Sequence, residues 1–172
     1  MRNNLGLAPA PFAEAVARAR NPVAKPPKKR GGTPKFPPPT EKLEQRALFR
    51  WAMYAAITRP ELHDLFAIPN AGGYVGGYAN NMQRVQAMKL EGVRAGVPDI
   101  CLPHARGIYH ALYIELKRVG ATASAVSDRQ TDWHTRLAKA GNKVAVCLGW
   151  EAARDVVLLY IEITQHTTEE PA

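Results

Sequence analysis

Apolar positions along the chain change period several times, and each change marks an element. Leu48, Trp51, Ala52 and Ala55 recur at helical spacing behind Thr40, a good N-cap type, until Pro60 forbids continuation. Residues 41–58 therefore predict an amphipathic helix. The apolar run 65–68, closed by Pro69-Asn70, reads as a strand. A glycine-rich loop from Ala71 to Tyr78 leads into a helix over about residues 81–91 that stops at Gly92. Residues 99–102 and 109–117 have strand character, and the turn-rich connection from Pro103 to Gly107 suits a hairpin. Ser127 is an N-cap candidate for a helix through Trp133, Leu137 and Ala138, with Gly141 as its stop. Residues 144–148 read as a buried strand and 151–163 as a final helix. The order α, β, α, β, β, α, β, α predicts an α/β domain without internal repeats.

The first 39 residues break these patterns. They hold nine of the 14 prolines, interleaved with eight basic residues against the single acid Glu14. Such a segment cannot bury enough apolar surface to offset its ordering entropy. Residues 1–39 thus read as a disordered, basic, Pro-rich arm and 40–172 as the folded body. Within the arm, Phe12 and Val16 keep a short helical pattern that binding would stabilise. The Pro-Pro-Lys-Lys-Arg stretch at 26–30 suits a nuclear-import signal or a general phosphate-binding arm.

Charge follows the same division. The chain carries +8 with a pI near 9.7, of which +7 lies in the arm and +1 in the remaining 133 residues. A polyanion is the expected partner, with the arm as a tether that raises affinity and salt dependence. Cys101 and Cys147 fit neither a disulfide framework nor zinc spacing, which suggests reduced, buried thiols. No apolar run approaches the roughly 18 residues of a membrane span. The expectation is a soluble intracellular protein with no membrane partner, cytoplasmic in a prokaryotic or phage-infected cell and nuclear in a eukaryotic one.

The chemistry concentrates in Gly96-Val97-Pro98-Asp99-Ile100 and Tyr113-Ile114-Glu115-Leu116-Lys117. Alternation along a strand puts Tyr113, Glu115 and Lys117 on one face and Leu112, Ile114 and Leu116 on the other. A charge flanked by such residues costs several kcal/mol to bury unless it is paired or bound to a metal. If the two strands pair, Asp99 comes within reach of Glu115, and a divalent cation would relieve the repulsion between the carboxylates. Taken singly, each residue also suits a plainer role: Asp99 as a turn residue after Pro98, Glu115 and Lys117 as solvated strand positions.

Together with Gly92-Val93, Ser127-Asp128-Arg129-Gln130 and Gly141, these residues resemble the virus-type replication-repair nuclease (VRR-NUC) branch of the PD-(D/E)xK superfamily. The resemblance covers nearly all of 40–163. It implies an α/β restriction-endonuclease-like fold with a central mixed β-sheet flanked by helices. It also implies Asp99, Glu115 and the Leu116 backbone carbonyl as ligands of Mg²⁺ or Mn²⁺, Lys117 as the group that orients or deprotonates the attacking water, and Gln130 as a residue that helps place them. The family carries an acid on its first helix. Glu44 fits best by its place on the inward stripe, with Glu41 as runner-up; plainer readings are a solvated flank residue for Glu44 and a helix-dipole partner for Glu41. Asn70 matches a family position near the site. The implied function is metal-dependent endonucleolytic hydrolysis of DNA, selective for junctions or flaps, by a homodimer. A non-catalytic DNA-binding module on the same fold is the alternative, and RNA as substrate stays open.

Other features divide between site and scaffold. Tyr74 and Tyr78 in the glycine loop suit base stacking or a plain surface connection. Arg84 and Lys89, with Arg94, suit backbone phosphates or a solvated helix face. The five histidines lack metal-ligand spacing, which favours structural or surface roles; His134, four residues after Gln130, is the one that could line the site. Trp51, Trp133 and Trp150 sit in periodic apolar contexts and read as packing residues.

Overall fold

The structure is a computed structural model that describes residues 39–69, 78–122 and 125–163. Helix α1 spans Glu41–Ala55, and Thr40 caps it by accepting a hydrogen bond from the Leu43 N–H at 3.3 Å. It ends before the expected residue 58, because Pro60 disfavours helical backbone in the residue ahead of it. Arg59 accordingly leaves the helical region with φ −136° and ψ 80°, and Pro60–Asp64 forms a 3₁₀ turn. Strand β1 is the exposed pair Phe66–Ala67. Helix α2 is Tyr78–Leu90, β2 Ile100–Leu102, β3 Leu112–Lys117, α3 Asp128–Lys139, β4 Lys143–Leu148 and α4 Trp150–Ile161.

The sheet order is β1-β2-β3-β4. The first three strands are antiparallel neighbours, β3 and β4 are parallel, and α3 makes the crossover between them. This is the mixed sheet with flanking helices that the family resemblance implies. β3 begins at Leu112 rather than Tyr109. Tyr109 instead exchanges two 2.9 Å backbone bonds with Arg106 in an isolated bridge, so the hairpin connection is a long, folded loop. Two buried contacts hold that loop to α4: the Tyr160 hydroxyl donates to the His104 carbonyl at 2.6 Å, and Arg106 Nε donates to the Ile161 carbonyl at 3.2 Å.

One sheet face makes the core. Leu112, Ile114 and Leu116 of β3 and Ala145 and Cys147 of β4 are almost wholly buried there, packed with Leu48 and Ala52 of α1 and Val156, Val157 and Tyr160 of α4. Each such aliphatic side chain contributes about 1.5–3 kcal/mol by leaving water. Alternation sends Tyr113, Glu115 and Lys117 to the opposite face, where the parallel register sets them beside Val144, Val146 and Leu148. Helix α3 covers this second face and buries none of its own residues. The sheet thus separates an apolar layer from a layer in which ionisable groups gather.

Candidate active site

Glu115 is the centre of the second layer. Its side chain is 1% exposed, in the middle of an otherwise apolar strand. Oε1 accepts from Lys117 Nζ at 2.8 Å and also from the Gln130 side-chain amide. Oε2 is buried without a hydrogen-bond partner, and His134 Nε2, equally buried and equally unpartnered, lies 3.6 Å from it. One oxygen is therefore fully engaged while the other faces a second orphan atom. A buried polar atom left in this state costs about 1–3 kcal/mol, so the pair marks a place where a ligand would be accepted.

Local sequence explains how Gln130 arrives there. Ser127 caps α3: its hydroxyl accepts from the Gln130 N–H at 3.4 Å, while Gln130 Oε1 accepts from the Ser127 N–H at 2.9 Å. This reciprocal box fixes the glutamine's carbonyl end and leaves its amide NH₂ aimed at Glu115. The helix start is pressed against the 95–96 loop. Gly96 has φ +88°, a Cβ there would lie 2.8 Å from the Arg129 backbone, and Trp133 Nε1 donates to the Ala95 carbonyl at 3.2 Å. Glycine is required both for the left-handed conformation and for the close approach.

Asp99 lies immediately before β2. Its backbone carbonyl accepts from the Ile68 N–H at 2.7 Å, and its Oδ2 accepts from the Leu116 N–H at 2.9 Å. The carboxylate takes the place of a ladder acceptor where β2 has not yet begun. The N–H and C=O of a strand residue point the same way, so the Leu116 carbonyl opens toward Asp99 as well. Asp99, Glu115, Lys117 and Gln130 are thereby gathered at adjacent positions of β2, β3 and α3.

Lys117 is nearly buried, which works against its charged form. The bond to Glu115 and that carboxylate's charge, joined by Glu41 and Asp99, outweigh burial and hold its pKa above the usual lysine value. The lysine is thus a fixed cation at neutral pH.

The two acids of α1 part company. Glu44 is 3% exposed and its Oε2 accepts from the Trp150 N–H at 2.9 Å, so it closes the start of α4. Gly149 has φ +87°, a Cβ there would meet Val119 at 2.6 Å, and its own N–H donates to the Lys117 carbonyl at 2.7 Å. Glu41 is exposed, yet its charge acts on Lys117. Burial puts Glu44 on the inward stripe, as its spacing suggests, but its carboxylate is engaged by a backbone amide.

Arg84 and Lys89 are exposed on α2, and Asn70 and Tyr74 lie outside the described residues. His134 is the residue that spacing alone left as a minor candidate; its i,i+4 relation to Gln130 was the signal for it. Among the described residues no three His, Cys, Asp or Glu side chains form a closed metal cage. The Asp99 and Glu115 side chains and the Leu116 carbonyl are hard oxygen donors, the type that a cation keeping several waters takes.

Residues 75–151 match the VRR-NUC domain family, and that span holds Asp99, Glu115, Lys117, Gln130 and His134. A solved structure described as a VRR_NUC domain protein is similar to the chain with a TM-score of 0.61 and 26% sequence identity, covering 76% of this chain and 94% of that one. No curated protein matches the chain. The match over residues 75–151 and the mixed sheet shared with a VRR_NUC domain protein together support a VRR-NUC assignment for this part of the chain.

Proposed function

We propose that this protein is a divalent-metal-dependent nuclease that hydrolyses DNA phosphodiester bonds, acting as an endonuclease on branched or flapped DNA. The observation that carries the reading is Glu115, one oxygen held by Lys117 and Gln130 and the other buried without a hydrogen-bond partner, 3.6 Å from His134. The residues fit a hard cation such as Mg²⁺ or Mn²⁺: Asp99, Glu115 and the Leu116 carbonyl would hold it, and the orphaned Oε2 would gain its missing partner. When bound, the ion supplies charge neutralisation at the phosphate and a nucleophile at neutral pH.

The chain's own groups do the rest. Lys117, held protonated, donates to the incoming water or a phosphate oxygen and offsets the charge that grows as the phosphorus becomes pentacoordinate. Gln130 keeps the Glu115 carboxylate in one orientation, so that little reorganisation is needed during reaction. The cationic arm adds phosphate contacts that do not read sequence. Symmetric cutting of two strands calls for two copies, so a homodimer is part of the reading.

The purified chain, incubated with a four-way junction, a flap and a linear duplex in Mg²⁺ or in EDTA, tests it. Cleavage in Mg²⁺ only, lost in Lys117→Met, supports the proposal. Binding without cleavage of any substrate in Mg²⁺ or Mn²⁺ would instead favour a non-catalytic DNA-binding module.

A further inference from the structure

Helix α1 hides one row of side chains and shows another. Glu44, Leu48 and Ala52, at i, i+4 and i+8, form the buried row. Lys42, Arg46 and Arg50 repeat that spacing two residues earlier, and all three are exposed. At about 1.5 Å of rise per residue they follow one another about 6 Å apart, over about 12 Å of helix. Like charges one turn apart repel, so the row is held at a cost that an anionic partner would remove.

These cations differ from the arginines that hold the scaffold together. Arg59, Arg106, Arg136 and Arg154 each contact a carboxylate, that of Glu162, Glu61, Asp132 and Asp155 in turn. Among the described residues Lys42, Arg46 and Arg50 make no ion pair. Their own helix offers little: Glu44 is turned inward onto the Trp150 N–H, and no acid follows it before Glu61.

The row starts at the candidate site. Glu44 Oε2 accepts from the Trp150 N–H at 2.9 Å, and the adjoining Gly149 N–H donates to the Lys117 carbonyl at 2.7 Å. The first turn of α1 is thereby seated on the end of β3 that carries Lys117, with Lys42 in the same turn on the outer side. Each strand of a duplex advances about 3.4 Å per phosphate, so about 12 Å of cations spans about three phosphates of one strand. Met53, Tyr54 and Ile57 prolong the exposed face beyond Arg50. An acidic protein would use both halves of that face, whereas a phosphate backbone uses the cationic half, which is the half beside Lys117.

We infer that Lys42, Arg46 and Arg50 form a phosphate track that holds one strand of a DNA duplex beside the candidate active site, with Lys42 nearest the scissile position. The inference rests on the nuclease reading and deepens it, because it gives the paired part of the substrate a place and a direction, away from Lys117 along α1.

Fluorescence anisotropy in EDTA measures binding apart from cleavage. Two labelled duplexes of unrelated sequence are titrated over a range of KCl with the full chain, the singles Lys42→Gln, Arg46→Gln and Arg50→Gln, their triple, the double Arg46→Lys/Arg50→Lys, and Lys139→Gln. Glutamine is a good helix former and the three sites are exposed, and circular dichroism checks folding. Each single should make the slope of log affinity against log salt shallower by about 1 and the triple by about 3, equally on both sequences. The lysine double keeps the charge and should keep the slope. Lys139, exposed at the far end of α3, controls for net charge, and its variant should bind as the wild type does. An unchanged slope in the folded triple overturns the track and leaves the face to a protein partner, even if the wild type cleaves in Mg²⁺. An equal fall in Lys139→Gln also overturns it, because the effect is then one of net charge. The expected slopes in a chain that cleaves nothing remove the nuclease reading and leave the track.

Discussion

Lys117 and Glu115, two residues apart on β3, join their charges at 2.8 Å where the lysine side chain is 9% exposed and the glutamate 1%. Removing one partner strands the other in a medium that solvates it poorly. Glu115→Ala is expected to destabilise the fold by about 3–5 kcal/mol, and adding Lys117→Met should recover much of that loss. Urea unfolding of the two singles and the double closes the cycle. Additive losses would mean that the pair is not the unit it looks to be.

Lys117 also separates charge from geometry. Lys117→Met should lower Mg²⁺-dependent cleavage by about 10²–10³-fold while DNA affinity in EDTA changes little. Arginine at the same place keeps the charge but replaces a compact ammonium with a planar fork, so Lys117→Arg should remain far below wild type. Single-turnover rates at saturating enzyme measure both; near-normal cleavage by either variant would remove Lys117 from the reaction.

The helix acids make opposite predictions. Glu44→Ala leaves the Trp150 N–H without its acceptor and should cost about 1–3 kcal/mol in stability. Glu41→Gln, at an exposed position, should change stability by less than about 0.5 kcal/mol, and a fall in cleavage rate would make Glu41 the helix acid of the site. Thermal melts and rates on the same two preparations decide. A stable but inactive Glu44 variant would make Glu44 the helix acid of the site, as its place on the inward stripe suggests.

Gly96→Ala tests how α3 is seated. The added Cβ meets the Arg129 backbone at 2.8 Å and the backbone must keep φ +88°, so a loss of about 1–3 kcal/mol is expected. The first turn of α3 carries Gln130, and pushing it outward lengthens the amide contact to Glu115. Cleavage measured well below the melting temperature should therefore fall even though the protein is folded.

Burial disfavours the Tyr160 phenolate more than nearby Arg106 favours it, and pushes the hydroxyl pKa up to about 12. An unfolded tyrosine titrates near 10. The folded state thus gains stability that is complete below about pH 10 and is lost by about 1.4 kcal/mol per unit as pH rises toward 12. Tyr109 and Tyr113, raised by burial too, add in the same direction. In urea midpoints from pH 8 to 12, Tyr160→Phe should start lower, having lost the bond to His104, and decline less steeply.

Much of this architecture was legible because local signals and tertiary needs agree. Thr40, Ser127 and the alternation on β3 declared the ends of two helices and the face of a strand. Glu115 could be singled out because a charge between Ile114 and Leu116 needs a partner, and Lys117 and Gln130 could be paired with it through the family pattern. What escaped depends on contacts distant in sequence. Glu44 and Trp150 are 106 residues apart, and no periodicity can show that a carboxylate on an inward stripe ends on a backbone amide. The early end of α1 and the late start of β3 have the same origin, since Pro60 and the Arg106–Tyr109 bridge replace repeating bonds with particular ones. His134 was legible only through its place one turn after Gln130, since spacing cannot show that its ring ends 3.6 Å from Glu115.

Helix α3 supplies Gln130 and His134 to the site, yet none of its residues is buried. Local opening needs only the apolar surface that an element hides, and α3 hides little compared with α4 or the core strands. Amide protons of α3 should exchange with solvent deuterium well before those of β3 and α4, on a sheet that stays protected. Glu115 and Lys117 then stay fixed together on the sheet, and the helix that brings Gln130 and His134 is the part of the site whose order the exchange experiment reads.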